Sequence, residues 1–424
     1  MNKYNLKKYV TGILFLLLIF LFAFYNLRTA FTPIADTVKT IQENGNYSVE
    51  DKIVTIENTI NDNVFDNYLF VEGYGYMQLL MGKDEINNFE IVRDAKGDKL
   101  YYTNFASGPS DVTYMADSMR ELDKTAKKAG STLMYLATPD KYIEGYTTFP
   151  AGIPYNYANE TVDAFLEELD KSKIDYLDYR DLLETSGIEM ENLFYKTDHH
   201  WKIQTSFWAF TELLNKLESG YGEIFPDREK VTDINNYNQI TYEDAHVGSQ
   251  GKKTGLLYSG VDDFTLIYPK YETSYTFYME LLDTSTTLDG RMEDCLIGNS
   301  ILNYEGKDIY NMNNDRYYSY LYGNQGYVHI ENEDNEDGIK ALFIKDSMIP
   351  PVATFFTQTC STVDLIDPRY YQGDIDQFVA NGDFDYIFVS FDPQNLTPEF
   401  FPFGNIDKEN ENSVTGEIAL EREE

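Results

Sequence analysis

The sequence predicts an α/β fold: a parallel sheet with helices on both faces, broken by an irregular β-rich insertion and preceded by an N-terminal transmembrane helix. Three observations predict it. Short apolar bursts alternate with amphipathic helical segments, first between Asp111 and Leu177 and again from Lys340 onward. Between these blocks, roughly Ser219 to Asn335, the chain is rich in Tyr, Gly, Asn and Asp. At the start, Lys3, Lys7 and Lys8 precede an unbroken apolar run from Val10 to Phe24.

That run is somewhat short for a span of roughly 20 residues, but Tyr9 and Tyr25 can sit at the two interfaces. Positive charge ahead of it predicts a cytoplasmic amino end and an extracytoplasmic remainder. A cleaved signal peptide would end in small residues, whereas this run ends in Phe24 and Tyr25, which favours an uncleaved single-pass anchor in the cell membrane. The expected organisation is a tip and anchor over 1–30, a polar stalk and docking segment over 31–95, and a catalytic domain over 96–403. The insertion occupies about 219–335, and an acidic, disordered tail covers 404–424.

Within the domain, Val112, Met115, Met119, Leu122 and Ala126 recur at helical spacing over Asp111 to Ala129, and Gly130 stops the helix. A strand follows at once, Thr132 to Ala137. A second helix over Glu160 to Leu169 leads to a short strand near Ile174 to Leu177. A third opens at Trp201 and runs to about Leu217. Inside the insertion, Phe264 to Tyr268 is β-like. Thereafter come a strand over Lys340–Ile344, a helix over Pro350–Gln358 and a strand over Ser361–Ile366. A helix over Ile375–Ala380 and a last strand over Asp385–Phe391 complete the order.

Lys and Arg total 34 against 71 Asp and Glu, a net charge of -37, which argues against nucleic acid and favours a neutral over an anionic glycan. The 36 tyrosines suit sugar surfaces and ordinary cores alike. Cys295 and Cys360 permit one disulfide but read as buried free thiols, and no Cys-His zinc spacing occurs.

Two places carry chemistry. At Asp198-His199-His200-Trp201 a loop enters a helix, and two of the four histidines lie beside a carboxylate. A helix amino end disfavours imidazolium, which suits a general base that must start neutral. Asp198 as a mere helix cap is the plainer alternative. At Lys345-Asp346-Ser347 a serine follows a strand and precedes the helix marked by Pro350-Pro351, where parallel sheets place active sites and where helix N–H groups face a developing oxyanion. Helix capping by Ser347 is again the plainer alternative. Together Ser347, His200 and Asp198 supply nucleophile, base and orienting acid.

Asp198-His199-His200-Trp201 is the run that names the DHHW family, and this chain resembles it. Those proteins are similar to the alginate O-acetyltransferases, whose domain has the SGNH-hydrolase, flavodoxin-like fold. Other matching blocks are Thr138-Pro139-Asp140-Lys141-Tyr142, Gly248-Ser249 with Lys252, Lys253, Thr254 and Gly255, and Asp262-Asp263-Phe264 with Tyr268-Pro269-Lys270. Asp367-Pro368-Arg369-Tyr370-Tyr371 trails the serine block. The resemblance implies Asp-x-His spacing, hence His200 rather than His199 as the base.

It also implies oxyanion or substrate contacts from Gly323 and Asn324, with Lys345 and Asp346 flanking the serine. Where the family has Gly-Gly-Asn-His-Pro, this chain has Tyr322-Gly323-Asn324-Gln325-Gly326. The implied activity is acetylation of an exported polysaccharide, without a cofactor, with a membrane-bound O-acyltransferase as acyl donor. An acetyl-esterase with the same triad and a non-enzymatic secretion scaffold are the rival readings. A metal site on Asp198-His199-His200 is disfavoured because Asp140 is the sole upstream carboxylate candidate.

Overall fold

The structure, a computed structural model, describes residues 3–43, 49–65, 67–281, 284–298 and 315–404. The chain divides into two compact units, Met1–Leu80 and Met81–Glu424.

The first unit holds three helices: α1 (Lys3–Glu43), α2 (Val49–Asp62) and α3 (Asn67–Leu80). Within α1, Leu6–Gln42 is long and apolar enough to cross a membrane, and its apolar side chains face outward. Beyond the expected anchor boundary at 30, α1 runs on without a break past Pro33 to Glu43. In this stretch Thr37 Oγ1 meets Thr59 Oγ1 of α2 at 3.0 Å.

The second unit starts with three short strands, β1 (Glu85–Ile86), β2 (Ile91–Arg93) and β3 (Leu100–Tyr102), which form an antiparallel sheet. There follow α4 (Thr113–Ala129), β4 (Thr132–Ala137), α5 (Ala158–Ser172), β5 (Asp175–Asp178) and α6 (Ile203–Tyr221). Gly130 ends α4 with φ +91°, a left-handed cap that glycine adopts without a Cβ penalty.

The middle segment contributes α7 (Arg228–Thr232), β6 (Tyr237–His246), α8 (Ser249–Thr254), α9 (Leu256–Ser259) and β7 (Asp262–Pro269). It continues through β8 (Tyr275–Leu281), β9 (Thr284–Gly290) and β10 (Tyr327–Asn332). The last block is β11 (Ile339–Lys345), α10 (Pro350–Phe356), β12 (Cys360–Ile366), α11 (Ile375–Asn381) and β13 (Tyr386–Ser390).

The main sheet has eight strands in the order β5-β4-β13-β11-β12-β10-β8-β9. From β5 to β12 every pairing is parallel, and from β12 to β9 every pairing is antiparallel. This corrects the reading of the middle segment as decoration beside a parallel sheet. Three of its strands extend the sheet, while β6 and β7 form a separate hairpin.

Alternation along the central strands assigns the helices to their faces. Met134, Leu136, Ala341 and Phe343 point into one core with Phe210 and Leu213 of α6 and Val352 of α10. Leu133, Tyr135, Leu342 and Ile344 point into the other with Met119 of α4, Phe165 of α5 and Val379 of α11. Each strand is buried on both sides, which is why these segments read as continuous apolar bursts. Cys295 and Cys360 are buried and unpaired by any disulfide. The expected tail lies outside the described residues.

Candidate active site

Ser347 stands in the loop between β11 and α10, at the carboxyl end of a central strand. Asp346 builds that loop. Its Oδ1 accepts from the Met348 N–H at 2.9 Å, and its Oδ2 accepts from the Asp392 N–H at 2.6 Å and Asn395 Nδ2 at 2.8 Å. On the other side, Trp201 Nε1 and Tyr317 Oη both donate to the Met348 carbonyl, at 3.0 and 2.9 Å.

Asp198 and His200 lie in a tight loop closed by a bridge between Phe194 and Trp201, just before α6. The helix opens at Ile203 behind Lys202, so Asp198 is not its cap. Two buried groups hold this loop. Asp262 accepts the N–H groups of Lys196 and Thr197, each at 2.8 Å. Lys141 Nζ donates to the carbonyls of Lys196 and Asp198, at 3.0 and 2.6 Å. Burial brings the Lys141 pKa down to about 7. The roles of Lys141 and Asp262 were missed in the sequence, where they stood out only as members of family-like blocks. A buried charge amid unpaired loop amides is the physical signal, and it needs the fold to be visible.

The structure brings the two loops together across 147 positions of sequence: His200 Nε2 and Ser347 Oγ are 2.8 Å apart. On the far side of the ring, His200 Nδ1 is 3.1 Å from Asp198 Oδ2, though the alignment falls short of a hydrogen bond. The other oxygen of Asp198 accepts from the His199 N–H at 2.8 Å and from Ser249 Oγ at 3.0 Å. The Tyr317 ring stacks on His200, centroids 4.0 Å apart and planes 16° from parallel. Ser347 retains 6% exposure, while His200 and Asp198 are closed off.

Burial opposes the charge on Asp198, but His200, His199 and His246 outweigh it and hold the carboxyl well below its usual range. Burial, then the charge of His199, pushes the His200 pKa down. Burial also opposes charge on His199, yet Asp198 outweighs it and raises that pKa. The two adjacent histidines are therefore driven apart.

Other expected contacts fall elsewhere. Lys345 is buried and donates to Asn324 Oδ1 at 3.0 Å, with Asp367 Oδ2 at 3.4 Å. Asp346 is committed to the loop, so both flanking residues face inward rather than toward a substrate. The Gly323 N–H donates to the Tyr320 carbonyl at 3.3 Å, which removes it as an oxyanion donor. Asn324 Nδ2 keeps only a 3.4 Å bond to Tyr318 Oη. The start of α10 is also a poorer anion site than expected, because Pro350 and Pro351 lack an N–H.

His246, at the end of β6, was overlooked. It is fully buried, and its Nε2 lies 3.4 Å from Asp198 Oδ2. Among the described residues, two sets of side chains offer closely spaced ligand atoms to a metal: Asp198 with His199 and His200, and Asp198 with His246 and Asp315. The fourth histidine, His329, is apart from these and pairs with Asp364 at 3.0 Å.

Residues 99–230 match the family model described as SGNH hydrolase-like domain, acetyltransferase AlgX. The fold agrees with solved structures. Bacillus cereus PatB1 with a sulfonyl adduct is 18% identical with a TM-score of 0.59, over 76% of this chain and 99% of that one. A DHHW family protein from Eubacterium siraeum is 16% identical with a TM-score of 0.53, over 79% and 97%. No curated protein matches the sequence. The resemblance read from the sequence is thus matched by this family model over residues 99–230 and, for the fold alone, by both solved structures.

Proposed function

We propose that the protein is an extracytoplasmic O-acetyltransferase that takes an acetyl group onto Ser347 and passes it to a hydroxyl of an exported or cell-surface polysaccharide. One observation carries the reading: the 2.8 Å approach of Ser347 Oγ to His200 Nε2, with Asp198 behind the same ring.

In the first half-reaction Ser347 Oγ attacks the acetyl carbonyl while His200 Nε2 takes its proton. Asp198, kept ionised by its three histidines, stabilises the imidazolium and selects the tautomer that leaves Nε2 free to accept. Collapse expels the donor's leaving group, which takes the proton from His200, and leaves an acetyl ester on Ser347. In the second half, His200 deprotonates the acceptor hydroxyl, which attacks that ester, and the proton passes from His200 to the departing Ser347 Oγ. Asn324, whose Oδ1 is held by Lys345 while its Nδ2 makes one long bond to Tyr318, is the oxyanion donor we assign.

A donor of the membrane-bound O-acyltransferase class fits a chain anchored through α1, with Lys3, Lys7 and Lys8 on the cytoplasmic side. Protease added to intact protoplasts should digest the second unit; protection would reverse that orientation.

The direct test is a chromogenic acetyl ester, with and without a neutral oligosaccharide. Wild type should release acetyl, label at Ser347 with a sulfonyl fluoride, and deposit acetyl on the sugar by mass spectrometry. Ester cleavage without sugar acetylation would make the protein an esterase. No cleavage or labelling at all would leave only the scaffold reading.

A further inference from the structure

We infer that Asp198, His246 and Asp315 form a binding site for a zinc-class divalent cation whose occupancy takes Asp198 away from His200 and switches the triad off. The inhibition rests on the function proposed above, but the binding does not.

The motive is a set of buried polar atoms that the fold leaves without hydrogen bonds. Both ring nitrogens of His246 are in this state, as is Asp198 Oδ2. Leaving such an atom buried and unsatisfied is costly, so a partner that satisfies it is favoured. The nearest pair, His246 Nε2 and Asp198 Oδ2, is 3.4 Å apart and poorly aligned for a hydrogen bond. That spacing suits a shared metal: two ligands at tetrahedral angles, each about 2.0–2.1 Å from zinc, stand about 3.3–3.4 Å apart. Asp315 supplies a third ligand atom, and all three lie within 4.8 Å of one another. Three nitrogen and oxygen ligands with a fourth position for water is a common zinc arrangement.

The surroundings fit this role. Asp315 is oriented from outside, accepting the Tyr317 N–H through Oδ1 at 3.0 Å and facing Lys252 Nζ through Oδ2 at 3.3 Å. Metal-ligating carboxylates are usually fixed in this way. The Lys252 ammonium competes with a cation, so its removal should strengthen binding. The other metal-capable set is less free, since His199 Nδ1 meets Ser249 Oγ at 3.1 Å and His200 Nε2 meets Ser347 Oγ. A metal on Asp198 Oδ2 would claim the oxygen that faces His200 Nδ1, and the imidazolium would lose its partner.

The test uses the full-length protein in detergent, stripped with EDTA and titrated with zinc chloride against a chromophoric chelator. Wild type and Ser347→Ala should each bind one zinc alike. His246→Gln and Asp315→Asn should each weaken binding by more than the roughly tenfold that even an outer-shell change costs, and Lys252→Ala should tighten it. Ester cleavage by wild type should fall in step with zinc occupancy and return with EDTA. Asp315→Asn should cleave the ester normally without metal and resist zinc. Zinc binding untouched by either His246→Gln or Asp315→Asn would overturn the site, as would no binding at micromolar zinc. Binding without any ester turnover in metal-free wild type would keep the site and sink the acetyltransferase instead.

Discussion

A methyl group on Gly248 would lie 2.1 Å from Asp198 Cβ and 2.3 Å from its carboxyl carbon. The backbone of Gly248 is ordinary, with φ −79°, so only space demands glycine here. The place of the Asp198 carboxylate depends on the side chain that Gly248 lacks.

Gly248→Ala should therefore push Asp198 off its line to His200. A displacement near 1 Å in a catalytic group costs about a hundredfold in rate. Ester turnover should fall by that order while circular dichroism stays unchanged. Wild-type turnover in this variant would show that the carboxylate has no fixed position to lose.

His200→Ala should lose about four orders of magnitude in turnover, as serine triads do without their base. His199→Ala should lose no more than about tenfold, because the backbone N–H that bonds Asp198 Oδ1 survives the change. Equal collapse of both variants would move the base, or share it between the rings.

The acid limb of the pH–rate profile reports the base, which works only when neutral. Burial and the neighbouring His199 lower the His200 pKa from its ordinary 6.5. Activity should thus rise with pH along a limb centred below 6.5, when measured in EDTA to exclude metal. A midpoint above the ordinary value would mean that Asp198 outweighs burial.

Asp367 is fully buried between Lys345 Nζ at 3.4 Å and Arg369 Nη2 at 2.7 Å. Asp367→Ala strands the buried Lys345 ammonium, whose pKa burial already lowers. Loss of one partner of such a pair costs about 3–5 kcal/mol, readable as a lower thermal midpoint. A change below about 1 kcal/mol would place the pair with weakly contributing surface ion pairs.

The legible parts of the fold were those with one dominant force. β4, β11, β12 and β13 are buried on both faces, so their apolar bursts announce strands. β9 carries Thr, Ser and Asp with mostly exposed or half-exposed positions, and its alternation carries no apolar signal. Its place in the sheet comes from pairing with β8, which no local pattern records. The same holds at the site. Ser347, His200 and Asp198 were legible as residue types at the right punctuation of helix and strand. His246 reaches Asp198 only through the curl of β6, and Lys345 turns inward because Asp367 lies there.

The position of β13 in the sheet also sets a timetable. This last strand lies between β4 and β11, so the sheet cannot close until Ser390 has been made. At about 5–20 residues per second, the 190 residues from His200 to Ser390 take roughly ten to forty seconds to synthesise. Throughout that interval His200 exists without Ser347 held beside it. A chain cut between Ser347 and β13 carries Asp198, His200 and Ser347 and still lacks the strand that joins β4 to β11.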